Sequence, residues 1–284
     1  MSSFLKQFIE SHLAALGLLI VALVIVGALF GQYLIPFDPD AQNILLRLKP
    51  PFFSGPNGVH VLGTDALGRD IFSRLVVGAR VSILVGVASV VISGTVGVAF
   101  GLIAGYEEKY AGRFLMAITD IQLAIPFLVL ALAVAAVVGP SLWNIIAILG
   151  LTNWVQYARV VRSEVLALRR REFIQAAHTM GIPVPTILIR HLLPNVMSTV
   201  IVISSLLVAK MILFESSLSF LGLGVPPQTP TWGTMIADGR NYVGNAWWVA
   251  TFPGIAIFAT VIGINLIGDR LRDLLDPRLR QMEG

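Results

Sequence analysis

The sequence predicts an all-α protein that crosses a membrane several times, and three observations carry that prediction. Of its 284 residues, 56% are hydrophobic and only 13% charged, with a mean hydropathy of +0.83; the surface of a water-soluble domain of this length requires far more charge. Apolar runs of the roughly 20 residues needed to cross a bilayer recur along the whole chain. Lys and Arg fall between those runs rather than on one soluble face, so a net charge of +4 reads as topology, not as a nucleic-acid surface.

Six runs meet the length requirement, at about 13–35, 81–105, 114–138, 142–161, 196–214 and 249–268. The first has no small-x-small cleavage site after it and outlasts the roughly 7–15 apolar residues of a signal peptide, so it is expected to stay as a span. If the N-terminus is cytoplasmic, thirteen Lys and Arg lie on inner segments and six on outer ones, five of these six in the first outer loop. That bias puts both termini in the cytoplasm. Trp143, Trp247 and Trp248 open the fourth and sixth spans at the outer interface, where indole rings favour the headgroup level. Trp154, about 16 Å deeper by helical rise, is expected to face lipid or a pathway.

The chain divides into residues 1–80 (first span, outer loop and amphipathic helix), 81–270 (a five-helix core with an inner loop at about 162–195) and a cytoplasmic tail, 271–284. In the outer loop, Pro50-Pro51 and Gly55-Pro56-Asn57-Gly58 are turn signals. Ile71, Leu75 and Val76 then recur at helical spacing among polar residues, which predicts a separate helix lying along the membrane. Gly97, Gly101 and Gly105 form a small-residue stripe suited to close helix packing.

The inner loop is the most informative stretch. Arg169-Arg170-Arg171-Glu172 leads into Phe173, Ala176, Ala177 and Met180, spaced i, i+3, i+4, i+7 so that one face of a short helix is apolar. Gly181 stands where a C-terminal cap is wanted, and Pro183 and Pro185 stop the helix. Eight residues or so are too few for a stable isolated helix. The missing contacts would come from a docked partner, or from anionic lipid beneath a resting interfacial helix.

Within the spans, Asp120 is an intramembrane carboxylate expected to face the bundle, as a gate or as a structural bond to the inner loop, and Pro126 is expected to kink its helix. Lys210 and Glu215, five residues apart on the fifth span, point away from each other and form a poor ion pair. The serines at 204, 205, 216, 217 and 219 suit either a lumen-facing helix or back-bonding to their own helix.

The order Leu62-Gly63-Thr64-Asp65, Gly68-Arg69-Asp70, Gln175-Ala176-Ala177 with Gly181, Leu193-Pro194-Asn195, Leu218-Ser219-Phe220-Leu221-Gly222 and Leu275-Asp276-Pro277 resembles permease subunits of bacterial ABC importers. The loop piece is similar to their EAA signature, and the whole set to the dipeptide/oligopeptide/nickel branch. That resemblance implies a type I importer permease fold of six spans in a bacterial inner membrane. It also implies a second, related permease subunit beside this one, two cytoplasmic ATPases that bind ATP and Mg, and an external solute-binding protein. The ATPase-coupling positions it implies are Glu172, Gln175, Ala176, Ala177, Gly181, Leu193 and Pro194; Asp120, Lys210 and Glu215 are pathway or gate candidates. Gln175 departs from the Glu usual in the family. The implied cargo is a peptide, with nickel or another small solute as the alternative.

No nucleotide site or other cofactor is expected in this chain: a phosphate-cradling loop needs Gly before its Lys, and none of the four lysines has one. The four histidines form no metal pair, no Gly-x-Ser-x-Gly elbow occurs, and there is no cysteine, so catalytic residues and metal ligands are expected to be absent. An ion-coupled secondary transporter is the reading from another class, but the matched, broken half-repeats of such folds are not visible.

Overall fold

The computed structural model describes residues 7, 8, 10–226 and 228–275; Lys6, Pro227 and the tail motif Asp276-Pro277 lie outside the described residues. The chain is helical apart from a two-stranded hairpin, β1 (Phe53–Gly55) and β2 (Gly58–His60), paired antiparallel in the outer loop. Its helices are α1 (His12–Leu34), α2 (Ile71–Tyr106), α3 (Ala111–Ala124), α4 (Phe127–Val138), α5 (Leu142–Leu168), α6 (Glu172–Thr179), α7 (Val184–Phe220), α8 (Trp232–Gly239) and α9 (Trp248–Leu275). Among the described residues, α1, α2, α7 and α9 are long and apolar enough to cross a membrane, and α3 with α4 makes a fifth candidate if the bent pair is one span. The expected fourth span is the 27-residue α5, whose C-terminal half carries Arg159, Arg162 and Glu164.

One expectation about the helices is corrected, and the kink expected at Pro126 is found. The amphipathic helix at 71–80 is no separate surface element but the first turns of α2, which runs 36 residues, roughly 54 Å. Asp70 caps it by accepting the Ser73 N–H at 2.8 Å, nothing breaks it afterwards, and Ile71, Ser73 and Arg74 are buried beneath the outer loop rather than laid on lipid. The third span is broken, with α3 and α4 at 87°. Pro126 forces Ile125 into extended backbone (φ −98°, ψ 125°), which ends α3, as Pro does to the residue before it.

α2 and α5 pack closest. A Cβ added to Gly97 would lie 2.3 Å from the Trp154 carbonyl oxygen, one on Gly101 2.7 Å from Val161 Cβ, and one on Gly105 2.6 Å from Val165 Cβ. The stripe therefore serves packing, as expected. Gly101→Ala should lower the stability of the purified protein by about 1–3 kcal/mol through overpacking. Gly94→Ala, whose Cβ would sit 3.5 Å from the Tyr157 ring, should be tolerated; thermal unfolding of the two variants side by side checks this. Trp154 belongs to the same seam, buried edge-on against Phe100, and faces neither lipid nor pathway. Four of the serines on α7 back-bond to their own helix, Ser204 to Val200, Ser205 to Val202, Ser216 to Ile212 and Ser217 to Leu213.

Candidate functional site

α6 hangs from the C-terminal ends of α2 and α5 by three attachments. Arg169, just past the end of α5, donates to the Tyr106 carbonyl at 2.9 Å and pairs with Glu108. His178 Nε2 and the Tyr106 hydroxyl are 2.6 Å apart with their rings stacked. Ile174 and Ala177 are buried with Ile187 and Leu192 in the main core cluster. A carboxylate suits the first turn of a helix, where backbone N–H groups point outward, and Glu172 supplies it.

The other face is open. Phe173, Ala176 and Met180 are exposed, Met180 at 71%, along with Glu172 and Gln175. The expected apolar face is therefore corrected at one position: Ala177 is only 1% exposed and turns into the protein's own core. The spacing that groups Phe173, Ala176, Ala177 and Met180 overlooks Ile174, the bulkier side chain, whose burial rotates the helix and takes its i+3 neighbour Ala177 with it. Gln175 donates its amide to the Arg170 carbonyl at 3.2 Å, a bond that an ionised Glu at this position could not donate.

The end of α6 is built as the sequence predicts. Gly181 takes φ +71°, its N–H donates to the His178 carbonyl at 3.0 Å, and the Ile182 N–H donates to the Ala177 carbonyl at 3.1 Å. These two bonds are the Schellman pair, which selects Gly at that position. A side chain at Gly181 would meet nothing within 4 Å, so the requirement is backbone conformation alone. Gly181→Ala should cost about 1–2 kcal/mol locally from the left-handed backbone, read as faster hydrogen exchange across α6.

α7 then begins at Val184, with only Ile182 and Pro183 after the Gly181 turn. Its first turns contain a π-helical segment, Ile187–Leu192, directly before Leu193 and Pro194. Pro194 has no N–H and its ring would strike the carbonyl four residues back; the wider π turn relieves that clash without ending the helix. Asn195 donates to the His191 carbonyl at 2.6 Å across the same turn. Leu193 is partly buried against the core and Pro194 exposed. α6 is thus joined by the four residues 180–183 to the 37-residue α7.

The charged residues of the spans do not gather. Asp120 does not face the bundle interior; it pairs with Arg159 of α5, and both side chains are more than half exposed, 65% and 51%. Lys210 lies over the Phe214 ring at 5.4 Å. Glu215 is fully buried and accepts from the Ser219 hydroxyl at 2.7 Å. Lys210 and Glu215 form no ion pair, as their spacing predicts.

The outer motif is a knot of buried polar groups. Asp65 accepts the N–H groups of Leu67 (2.8 Å) and Arg69 (2.9 Å) and the Arg69 Nε at 2.6 Å, and Arg69 reaches Asp238 of α8 at 3.2 Å. His60 Nδ1 and Asp70 are 2.8 Å apart. Trp248 is buried, with its indole N–H on the Thr64 carbonyl at 3.3 Å, so it is a brace rather than the interfacial anchor expected; Trp143 and Trp247 are exposed. Gly68 is required twice over: φ is +75°, and a Cβ there would lie 1.8 Å from the Asn43 carbonyl oxygen.

Burial pushes the Asp238 carboxyl above its ordinary range, and Arg69 and Arg74 only partly offset it. A raised carboxyl pKa means that the folded chain holds this proton more tightly than the unfolded chain. Its contribution therefore favours the fold at low pH and declines as pH rises from the ordinary value of 3.8 through the raised one. Asp238→Asn should leave the thermal midpoint at neutral pH unchanged or higher.

Residues 97–281 match the family described as "Binding-protein-dependent transport system inner membrane component", and residues 1–51 match the "N-terminal TM domain of oligopeptide transport permease C". A di/tripeptide transport system permease protein of Pseudomonas aeruginosa is 41% identical over 99% of this chain and 93% of its own length. A glutathione transport system permease protein of Pectobacterium atrosepticum is 41% identical over 98% and 91%, and a dipeptide transport system permease protein of Alkalihalophilus pseudofirmus 40% over 97% and 89%. With the loop helix, the outer knot and the spans in the order the motifs require, the chain belongs to the family of inner membrane permease components of binding-protein-dependent (ABC) transport systems.

Proposed function

We propose that this chain is one of two related permease subunits that together form the translocation pathway of a peptide importer, with a solute-binding protein delivering cargo from outside. The exposed face of α6 is the surface that a cytoplasmic ATPase grips, two ATPase subunits serving the pair of permeases and holding the ATP and Mg. Both termini lie in the cytoplasm. Closure of the ATPases on ATP would pull α6, and the four-residue link and π turn would pass that displacement into α7. Peptide cargo is favoured because the relatives are named for di- and tripeptides, dipeptides and glutathione.

One observation carries the reading: Phe173, Ala176 and Met180 are exposed on a helix whose opposite side is fastened to the core. An exposed apolar strip among arginines is costly unless something covers it. The test is purification of the chain from its native membrane. ATPase subunits and a second permease should come with it, and labelled dipeptide uptake should require ATP. Recovery of a single active chain whose uptake follows an ion gradient would contradict the proposal.

A further inference from the structure

A gap of about 190 Å³ lies between α1, α2, α7 and α9, and its lining is Val and Ile throughout except for Ser205 and Thr260. Both hydroxyls are already used within their own helices, Ser205 donating to the Val202 carbonyl and Thr260 to the Ala256 carbonyl, each at 2.7 Å. A buried water needs roughly 2–4 polar partners, whereas a void of roughly 150 Å³ with aliphatic walls stays dry and takes apolar guests such as benzene. The gap therefore offers nothing to hold water and has room for hydrocarbon.

α1 sets its depth. The helix has 23 residues, roughly 34 Å of rise, which matches the roughly 30 Å of a bilayer's hydrocarbon. Its lining residues Val21, Val24 and Ile25 flank the helix midpoint, Leu23. The core-facing stripe of α1 runs Ala14, Gly17, Val21, Val24, Ala28 and Gly31; the four small residues are buried, while the two valines at the centre are only partly so. Gly17 and Gly31 draw the two ends onto their neighbours. A Cβ at Gly17 would lie 2.8 Å from the Gly263 carbonyl oxygen of α9, and one at Gly31 2.5 Å from Val76 Cγ1 of α2. The middle of α1 is left standing over a void at the centre of the bilayer.

Among the lining residues only Ile25 and Val87 are exposed, so the gap opens sideways between α1 and α2. Leu29 of α1 and Leu84 and Val91 of α2, beside this mouth, are exposed as well. Helices that pack on one another in a membrane meet through small residues such as Gly, Ala, Ser and Thr; a rim of Leu, Ile and Val is a surface for lipid tails. We infer that the gap is a binding site for one acyl chain of a membrane phospholipid, entering between Ile25 and Val87 and filling the space beneath Val21 and Val24. At this depth it takes the methyl-terminal part of the chain while the headgroup stays at the membrane surface, so the site selects hydrocarbon and not a headgroup.

The test uses the assembled transporter in vesicles of phosphatidylethanolamine and phosphatidylglycerol. A phospholipid with a diazirine near the methyl end of one chain is added, the vesicles are irradiated, and adducts are mapped by mass spectrometry. Adducts should appear on Val208, Ile212 or Ile264, none of them exposed, as well as on the outward-facing Leu19 and Leu23. Val24→Phe and Val208→Phe, on separate walls of the gap, should each lower the lining adducts at least tenfold and leave those on Leu19 and Leu23 unchanged. Adducts on Leu19 and Leu23 alone in the unsubstituted chain would overturn the inference, because they report only the lipid that surrounds the protein. So would lining adducts undiminished in both variants, or a Val208→Cys chain that cross-links to another subunit, since a protein side chain would then occupy the gap.

Discussion

Ala176→Trp should abolish uptake while the chain still folds and inserts. Ala176 is exposed and small on a face whose larger neighbours, Phe173 and Met180, stand to either side, so an indole there lifts the whole helix off whatever it docks against. Central interface positions lose on the order of 2 kcal/mol when complementarity is broken, and each 1.4 kcal/mol is about tenfold in affinity. ATPase subunits should then be lost on purification at ordinary dilution. Ala177→Trp separates docking from folding: with Ala177 buried against Ile174 and Ile187, it should unfold the loop, seen as rapid hydrogen exchange from 169 to 192. If Ala176→Trp kept both uptake and its ATPases, the face would have no partner.

Asp65→Ala dismantles the outer end. The carboxylate holds two backbone N–H groups and the buried Arg69 guanidinium, with Arg74 Nε at 3.8 Å. Removing it leaves two buried cations short of their acceptor, and breaking one side of a buried pair costs about 3–5 kcal/mol. Because Arg69 also ties the outer loop to α8, and Trp248 reads the Thr64 carbonyl from α9, the loss spreads to both. The purified protein should show a lowered thermal midpoint and protease cuts between 43 and 70, whereas Asp238→Asn should show neither.

Four of the expected spans, the kink at Pro126, the cap at Gly181 and the glycine seam were legible because each depends on a local rule: an apolar run, a missing N–H, a positive φ, an absent Cβ. What stayed hidden depends on contacts between distant segments. The helix at 71–80 reads as amphipathic because Arg74 and Ser73 are polar, but both are buried beneath a loop that periodicity does not see. Ala177 reads as part of a docking face because spacing cannot tell which of two adjacent stripes finds the core, and Ile187 and Leu192, which decide it, lie beyond the turn. Arg159 reads only as a cation near the end of the fourth span until its pairing with Asp120 across thirty-nine positions appears. On α5, Thr152, Gln156, Arg159 and Ser163 share one unburied stripe, which a count of apolar residues along the span does not separate from its packed face.

The central claim, that α6 is a handle held from the cytoplasm by a separate ATPase, is tested most directly by cross-linking. The cysteine-free chain allows a single Ala176→Cys, treated in native membranes with a short photoactivatable thiol reagent and compared with Ala177→Cys. The account predicts an adduct between this chain and an ATPase subunit from position 176, changing in yield when ATP is trapped, and none from the buried position 177. Adducts to lipid alone from position 176, in vesicles that still import solute, would contradict it.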